Sequence, residues 1–171
     1  SKPSNKAVLD WVREIAALTQ PENIFWCDGS DRENEFLIAE SLKQNVLIEL
    51  NEKVPHSYLH RSSPNDVARV EQFTFVCTPT KQEAGPTNNW ADPTETYSKL
   101  KGLLEGAMRG RTMFVIPYMM GPADSPLTKV GFEITDSKYV VLSLRTMTRM
   151  GEVALKRLGD DPSAEWNRGV H

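Results

Sequence analysis

Apolar residues recur every three to four positions over residues 7–18, where Val8, Trp11, Val12, Ile15 and Leu18 share one side of a helical wheel. Ser4 or Asn5 stands where an N-cap is needed, and Pro21 ends the pattern. The spacing therefore predicts an amphipathic first helix. Ile24-Phe25-Trp26-Cys27 reads as a short strand closed by an Asp28-Gly29 turn. Helical period returns over residues 31–43 through Phe36, Leu37, Ala39 and Leu42, and residues 46–50 read as another strand.

Residues 55–64 are polar and aromatic with few periodic cues. One helical turn is predicted over residues 66–69 and a buried strand over residues 73–78. The loop from 79 to 92 is longer than a simple connection requires, and loops of that length are often functional. Asp92-Pro93-Thr94-Glu95 combines an N-cap, a first-position proline and an acid in the first turn. It predicts a helix to about residue 108 with Tyr97, Leu100, Leu103, Leu104, Ala107 and Met108 as its buried stripe. A central strand over 112–119, a rigid loop over 121–126 and an alternating strand over 130–135 follow. Asp136 is placed to cap a helix through residue 150 with Val140, Leu144 and Met147 on one face, and Gly151 separates it from a shorter helix over 152–158. The tail from 159 to 171 shows no periodicity. Alternating helices and strands, with no repeat or linker, predict one α/β domain over residues 1–171 in which helices cover a sheet.

Composition adds exclusions. The hydrophobic fraction of 39% and charged fraction of 25% are ordinary for a globular chain. The longest apolar run, residues 113–120, is interrupted by Pro117 and is too short to cross a bilayer. The first residues, Ser1-Lys2-Pro3-Ser4-Asn5-Lys6, carry no secretory pattern, so a cytoplasmic location is expected. Cys27 and Cys77 each sit in an apolar run without a second cysteine nearby and read as reduced core residues. With a net charge of −3 and a pI near 5.7, the chain as a whole recruits neither nucleic acid nor an acidic membrane. Any anion has to be held by local geometry.

Self-contained nucleotide and hydrolase sites have no signature here. The chain contains neither a glycine-rich phosphate loop ending in Lys-Ser or Lys-Thr nor a dinucleotide-binding glycine turn, and neither a zincin His pair nor a nucleophile elbow. His56 and His60 are four apart, but Pro55 argues against a helix, so a surface or packing role is the simpler reading than a metal site. Arg69 stands at an element end, where its planar guanidinium could hold a carboxylate through two parallel hydrogen bonds. The alternative is a structural pair with Asp66 or Glu71. Asn88-Asn89-Trp90 offers amide donors and an aromatic face for a ligand or for a packed corner. Arg109 and Arg111 read as cations at a helix C-terminus, and Arg145 and Arg149 either share a cleft or cap a helix.

Five segments taken together resemble one family. They are Ser63-Pro64-Asn65-Asp66-Val67-Ala68-Arg69-Val70-Glu71, Ala84-Gly85-Pro86-Thr87-Asn88-Asn89-Trp90, Gly110-Arg111-Thr112-Met113-Phe114-Val115-Ile116-Pro117, Met120-Gly121-Pro122 with Ser125-Pro126-Leu127, and the stretch from Ile134-Thr135-Asp136-Ser137 to Thr148-Arg149-Met150-Gly151. In this order they resemble the N-terminal domain of GTP-dependent phosphoenolpyruvate carboxykinases. Lys138, often proline in the family, and the variable Ala123-Asp124 depart from the pattern at loop positions away from Arg69.

The resemblance implies a mixed β-sheet with helices packed on its faces. It also implies an enzyme that decarboxylates oxaloacetate and phosphorylates the resulting enolate with GTP, giving phosphoenolpyruvate, GDP and carbon dioxide in gluconeogenesis. Family members supply Mn2+ or Mg2+ ligands, the phosphate loop for GTP and a mobile lid from a larger C-terminal part that has no counterpart here. The resemblance therefore implies a fragment, ending at Gly169-Val170-His171 inside a segment that continues in the family. Such a fragment is expected to carry no catalytic, metal or nucleotide residue and no cofactor of its own, and to be inactive alone. Carried over by position, Arg69 is the arginine that binds the carboxylate of oxaloacetate or phosphoenolpyruvate, and Glu71 is the acid associated with support of the closed lid. The expected partners are the C-terminal catalytic domain and that substrate, with neither nucleic acid nor membrane. The alternative is a free-standing binding or regulatory module that kept the fold.

Overall fold

The computed structural model describes residues 2–64 and 70–171. The helical turn expected over residues 66–69, and Arg69 with it, lies outside the described residues. Helix α1 spans Lys6–Thr19 and is capped by the buried Asn5, whose side-chain oxygen accepts from the Ala7 and Val8 N–H groups. The Asn5 amide also donates to the Asp161 carbonyl at 2.8 Å, which ties the start of the chain to its last segment. Strand β1 (Asn23–Trp26) and helix α2 (Asp31–Lys43) follow, separated by the expected Asp28-Gly29 turn. The Glu33 carboxylate holds that turn by accepting from the Asp28 and Gly29 N–H groups at 2.6 and 3.1 Å.

The middle of the chain is less regular than its hydrophobicity suggests. Residues 46–50 form only β2 (Ile48–Glu49), in a two-residue antiparallel pair with β3 (Tyr58–Leu59). The buried strand expected over residues 73–78 is instead a 3-10 turn, Glu71–Phe73, followed by β4 (Phe75–Val76), and Phe73 is 75% exposed. Cys77 is exposed as well, so only Cys27 is a core cysteine. A second 3-10 turn, Lys81–Ala84, leads to β5 (Asn89–Trp90), which pairs in parallel with β4.

Helix α3 (Pro93–Leu104) starts on the predicted Asp92 cap but stops four residues short of the expectation, because Glu105 turns extended. None of its residues is buried. Tyr97 and Leu103, expected in its buried stripe, are 59% and 67% exposed, whereas Met108 beyond its end is buried. The remaining elements are β6 (Thr112–Met120), β7 (Lys129–Thr135), α4 (Lys138–Met147), β8 (Arg149–Met150), α5 (Glu152–Leu158) and β9 (Asn167–Val170). The helix expected through residue 150 therefore ends at 147, and the tail that lacked periodicity supplies a strand.

A five-stranded mixed sheet organises these elements. Its order is β1-β6-β7-β9, with β8 also paired to β6. β1 is parallel to β6, β6 antiparallel to β7 and β8, and β7 parallel to β9. Pro117 occupies the middle of β6 because its partner strand changes there from β1 to β8. The Val115 carbonyl accepts from Cys27 and the Pro117 carbonyl from Gly151, so the missing proline N–H falls at the junction.

Alternation along β6 and β7 divides the core in two. Met113, Val115, Met119, Val130, Phe132 and Ile134 meet Val8, Trp11, Val12 and Ile15 of α1 and Ala154 and Leu158 of α5. On the other face Phe114 and Ile116 meet Cys27, Leu37 of α2 and Val141 of α4. The expected architecture, a mixed sheet with helices on its faces, is the one observed. Glu133 of β7 lies across Gly169 of β9, where an added Cβ would stand 1.8 Å from its Oε2.

Burial pushes the Glu133 carboxyl above its ordinary value, with the nearby His171 partly opposing. Burial likewise raises Glu33, against the two N–H groups that it accepts. An acid whose pKa is raised by folding binds its proton more tightly in the folded chain. Stability then falls as pH rises from the ordinary glutamate value of 4.5 through the raised one. Glu133→Gln is expected to flatten that fall, and Glu33 to retain a part of it. Urea midpoints between about pH 4 and pH 7 measure the slope. A slope identical to that of the parent chain would show that Glu133 titrates as it does unfolded.

Candidate functional site

Two of the motif segments meet outside the main sheet. The 3-10 turn after Val70 is closed by Phe73 N–H donating to the Val70 carbonyl at 3.0 Å, and the Thr74 hydroxyl donates to the same carbonyl at 3.0 Å. The Asn89 amide crosses from β5 and donates to the Glu71 carbonyl at 2.8 Å and the Thr74 carbonyl at 3.2 Å. This cross-link, with the parallel β4–β5 pair, opposes the 70–74 backbone to the 87–89 loop. Between them is a polar cleft of about 720 Å³, walled by Val70, Glu71, Gln72 and Thr74 on one side and by Thr87, Asn88 and Asn89 on the other.

The loop side is braced from within. The Asn88 amide donates to the Ala84 carbonyl at 2.7 Å and the Trp90 indole N–H to the Thr78 carbonyl at 2.9 Å. Of the two readings open for Asn88-Asn89-Trp90, the packed corner accounts for these donors, although Asn88 and Asn89 also wall the cleft. Glu71 is in the wall. Arg69 is outside the described residues; Val70, which follows it in sequence, lines the cleft.

The other candidate cations are engaged elsewhere. Arg111 pairs with Asp136 at 2.7 Å and also donates to the Ala107 carbonyl, while Arg109 donates to the Gln20 side chain at 2.7 Å. They clamp the segment after α3 and do not cap it, because the helix ends before them. Arg145 and Arg149 have different partners among the described residues. Arg145 holds the Gly29 carbonyl and Asp31, whereas Arg149, in β8, donates to the Gly121 carbonyl at 2.9 Å. The His60 ring stacks on Tyr139 with 4.0 Å between centroids, and its Nδ1 lies 2.7 Å from the Val46 carbonyl. His171, for which the sequence offered no partner, has its Nδ1 3.1 Å from the Thr135 hydroxyl. Among the described residues no group of three or more His, Cys, Asp and Glu side chains stands together as a metal site. No helix among them is long and apolar enough to cross a membrane.

Glu33 escaped the sequence reading as a positioning residue. The Ser30-x-x-Glu33 spacing of a capping box was the available signal. Its carboxylate reaches past Ser30 to the turn before it and sets the exit of β1.

Fold and cleft define the class: an α/β domain built on a mixed sheet, with a loop-walled polar cleft beside it. The chain belongs to the phosphoenolpyruvate carboxykinase N-terminal domain family, which matches residues 10–171. It is 54% identical over 169 residues to the phosphoenolpyruvate carboxykinase (GTP) of Anaeromyxobacter dehalogenans strain 2CP-C, covering 98% of this chain and 28% of that protein. The enzyme of the same name from Corynebacterium kroppenstedtii is 48% identical over 98% of this chain and 27% of its own length. That from Chlamydia muridarum is 49% identical over 93% of this chain and 27% of its own length. The chain thus spans little more than a quarter of these curated relatives.

Proposed function

We propose that this chain is the substrate-side portion of a longer GTP-dependent phosphoenolpyruvate carboxykinase and contributes a carboxylate-binding arginine to its active site. The observation that carries this reading is the cleft between the Val70-Glu71 segment and the Thr87–Asn89 loop, with Arg69 next in sequence to its wall. The family match and the names of the relatives supply the reaction class.

In that reaction the C–C bond to the departing carboxylate of oxaloacetate breaks and carbon dioxide leaves. The electron pair becomes an enolate, whose oxygen takes the γ-phosphoryl group of GTP to give phosphoenolpyruvate and GDP. The remaining carboxylate is unchanged throughout and serves as a handle. A guanidinium binds it through two parallel hydrogen bonds and so fixes the substrate's orientation before the enolate forms. Glu71, two residues on, is proposed to brace the closed lid through its wall position. The Asn89 cross-link holds the Glu71 backbone in place for either role. A divalent ion would supply electrostatic stabilisation of the enolate and phosphoryl oxygens. Among the described residues no group of three or more His, Cys, Asp and Glu side chains stands together to hold one.

Purified residues 1–171, assayed with oxaloacetate, GTP and Mn2+, are expected to form no phosphoenolpyruvate. Sustained turnover would mean that this chain holds its own phosphoryl-transfer centre, and the proposal would fail.

A further inference from the structure

A second cleft, of about 680 Å³, opens where the start of β7, the end of α5 and the segment entering β9 converge. Its walls carry three cations, Lys129, Arg157 and Arg168, against one carboxylate, Glu165. This surplus is opposite in sign to the chain's net charge of −3. Lys101, Arg111 and Arg145 are each paired with a carboxylate, but none of the three cleft cations makes an ion pair with a described residue. Asp160 and Asp161, on the adjoining turn, accept hydrogen bonds from Ser4 and Ser163 and do not line the cleft.

Two of the cations are held in place. The Arg168 guanidinium lies 4.6 Å above the Trp166 ring, and Trp166 is wedged edge-on against Trp11 and Phe132 at 5.2 and 5.4 Å. Arg157 donates to the Ser125 carbonyl at 3.1 Å, which anchors one of its nitrogens on the β6–β7 loop. The dipole of α5 accounts for a cation at Arg157 alone, since Lys129 and Arg168 are on strands. The three come from separate elements and line one cleft, and Arg168 also borders the groove between α1 and α3, so an anion in the cleft would meet cations that no described carboxylate pairs with.

We propose that this cleft binds a small polyanion, a molecule carrying two or more negative charges as phosphate or carboxylate groups. Its volume suits a metabolite-sized ligand, and Ser163, Asn167 and Thr128 in the wall add polar contacts beside the charges. The site is separate from the Val70–Asn89 cleft and shares no lining residue with it.

The test is calorimetric titration of the 171-residue chain, and of the longer protein, with pyrophosphate and separately with citrate at low ionic strength. Saturable binding at one site is expected, weakened about tenfold or more by Arg157→Ala and by Lys129→Ala and partly restored in Arg157→Lys. Arg69→Ala should leave this binding unchanged, which distinguishes failure here from failure of the proposed substrate role. Binding of pyrophosphate alone identifies a phosphate ligand, of citrate alone a polycarboxylate, and of both a site that reads charge. The absence of saturable binding, or binding indifferent to Arg157 and Lys129 in variants with unchanged circular dichroism, overturns the proposal.

Discussion

Arg69→Ala in the longer enzyme is expected to lower kcat/KM for oxaloacetate by about 30- to 1,000-fold, equivalent to roughly 2–4 kcal/mol for a lost charge-assisted contact. In the proposed role Arg69 would hold the carboxylate both in the ground state and in the transition state, so KM should rise. Orientation before decarboxylation is also lost, so kcat should fall. Arg69→Lys should recover only part of the loss, since an ammonium keeps the charge without the fork of parallel donors. The structural alternative, an ion pair with Asp66 or Glu71, predicts another outcome. Stability would then drop slightly while kcat/KM stays at the parent value, and that result would remove Arg69 from the site.

The second large effect is on folding. Gly151 joins β8 to α5 with φ of +83°, and its N–H donates to the Pro117 carbonyl at 2.8 Å. A Cβ built there would stand 1.7 Å from the Asp28 carbonyl oxygen, which is backbone and cannot rotate away. Relief would require moving the β1–α2 turn, which Glu33 holds through two N–H groups and Arg145 through the Gly29 carbonyl. Gly151→Ala is therefore expected to cost about 3–5 kcal/mol, the sum of a positive-φ backbone strain and a clash with backbone that cannot rotate away. For a chain of this size that lowers Tm by roughly 6–20 °C. Gly159→Ala is the control: φ is +68° but nothing lies within 4 Å of the added Cβ, so only the positive-φ strain of about 1–3 kcal/mol remains. Equal melting shifts for the two variants would show that the β1–β8 crossing is loose.

Both predictions concern segments that the sequence marked as motifs without showing which distant residues they would meet. The Thr148-Arg149-Met150-Gly151 stretch carried family resemblance, yet its close approach to Asp28-Gly29 joins residues more than one hundred positions apart. In the same way, the 63–71 and 84–90 motifs stood as separate features until the Asn89 amide and the β4–β5 pair placed Glu71 and Asn88 on two walls of one cleft. Local chemistry contains no record of which distant backbone a carbonyl will meet.

Where the local reading failed, hydrophobicity was mistaken for burial. Residues 73–78 are rich in β-formers, and Tyr97, Leu100 and Leu103 repeat with helical period, but burial also requires a facing surface. Among the described residues α1 and the end of β9 border α3 without burying any of its side chains, and Phe73 and Cys77 stand outside both core clusters. β9 failed in the opposite direction. Asn167-Arg168-Gly169-Val170 has little strand propensity, and its parallel pairing with β7 is decided by the sheet edge it meets.

What the sequence by itself determined is therefore local and periodic. It set the start of α1 on Ser4 or Asn5, of which the structure uses Asn5, gave the bounds of α2, placed the start of α3 on Asp92 and gave β7 its alternation, because caps and side-chain periods act within a few residues. The motif order also carried the family. Only the tertiary structure decided the partners of β6 around Pro117, the strand made from the tail, the exposed faces of α3 and Cys77, and the convergence of residues on each cleft. Those outcomes depend on which surfaces remain when the sheet closes, and pairing at that range is settled by the whole packed domain.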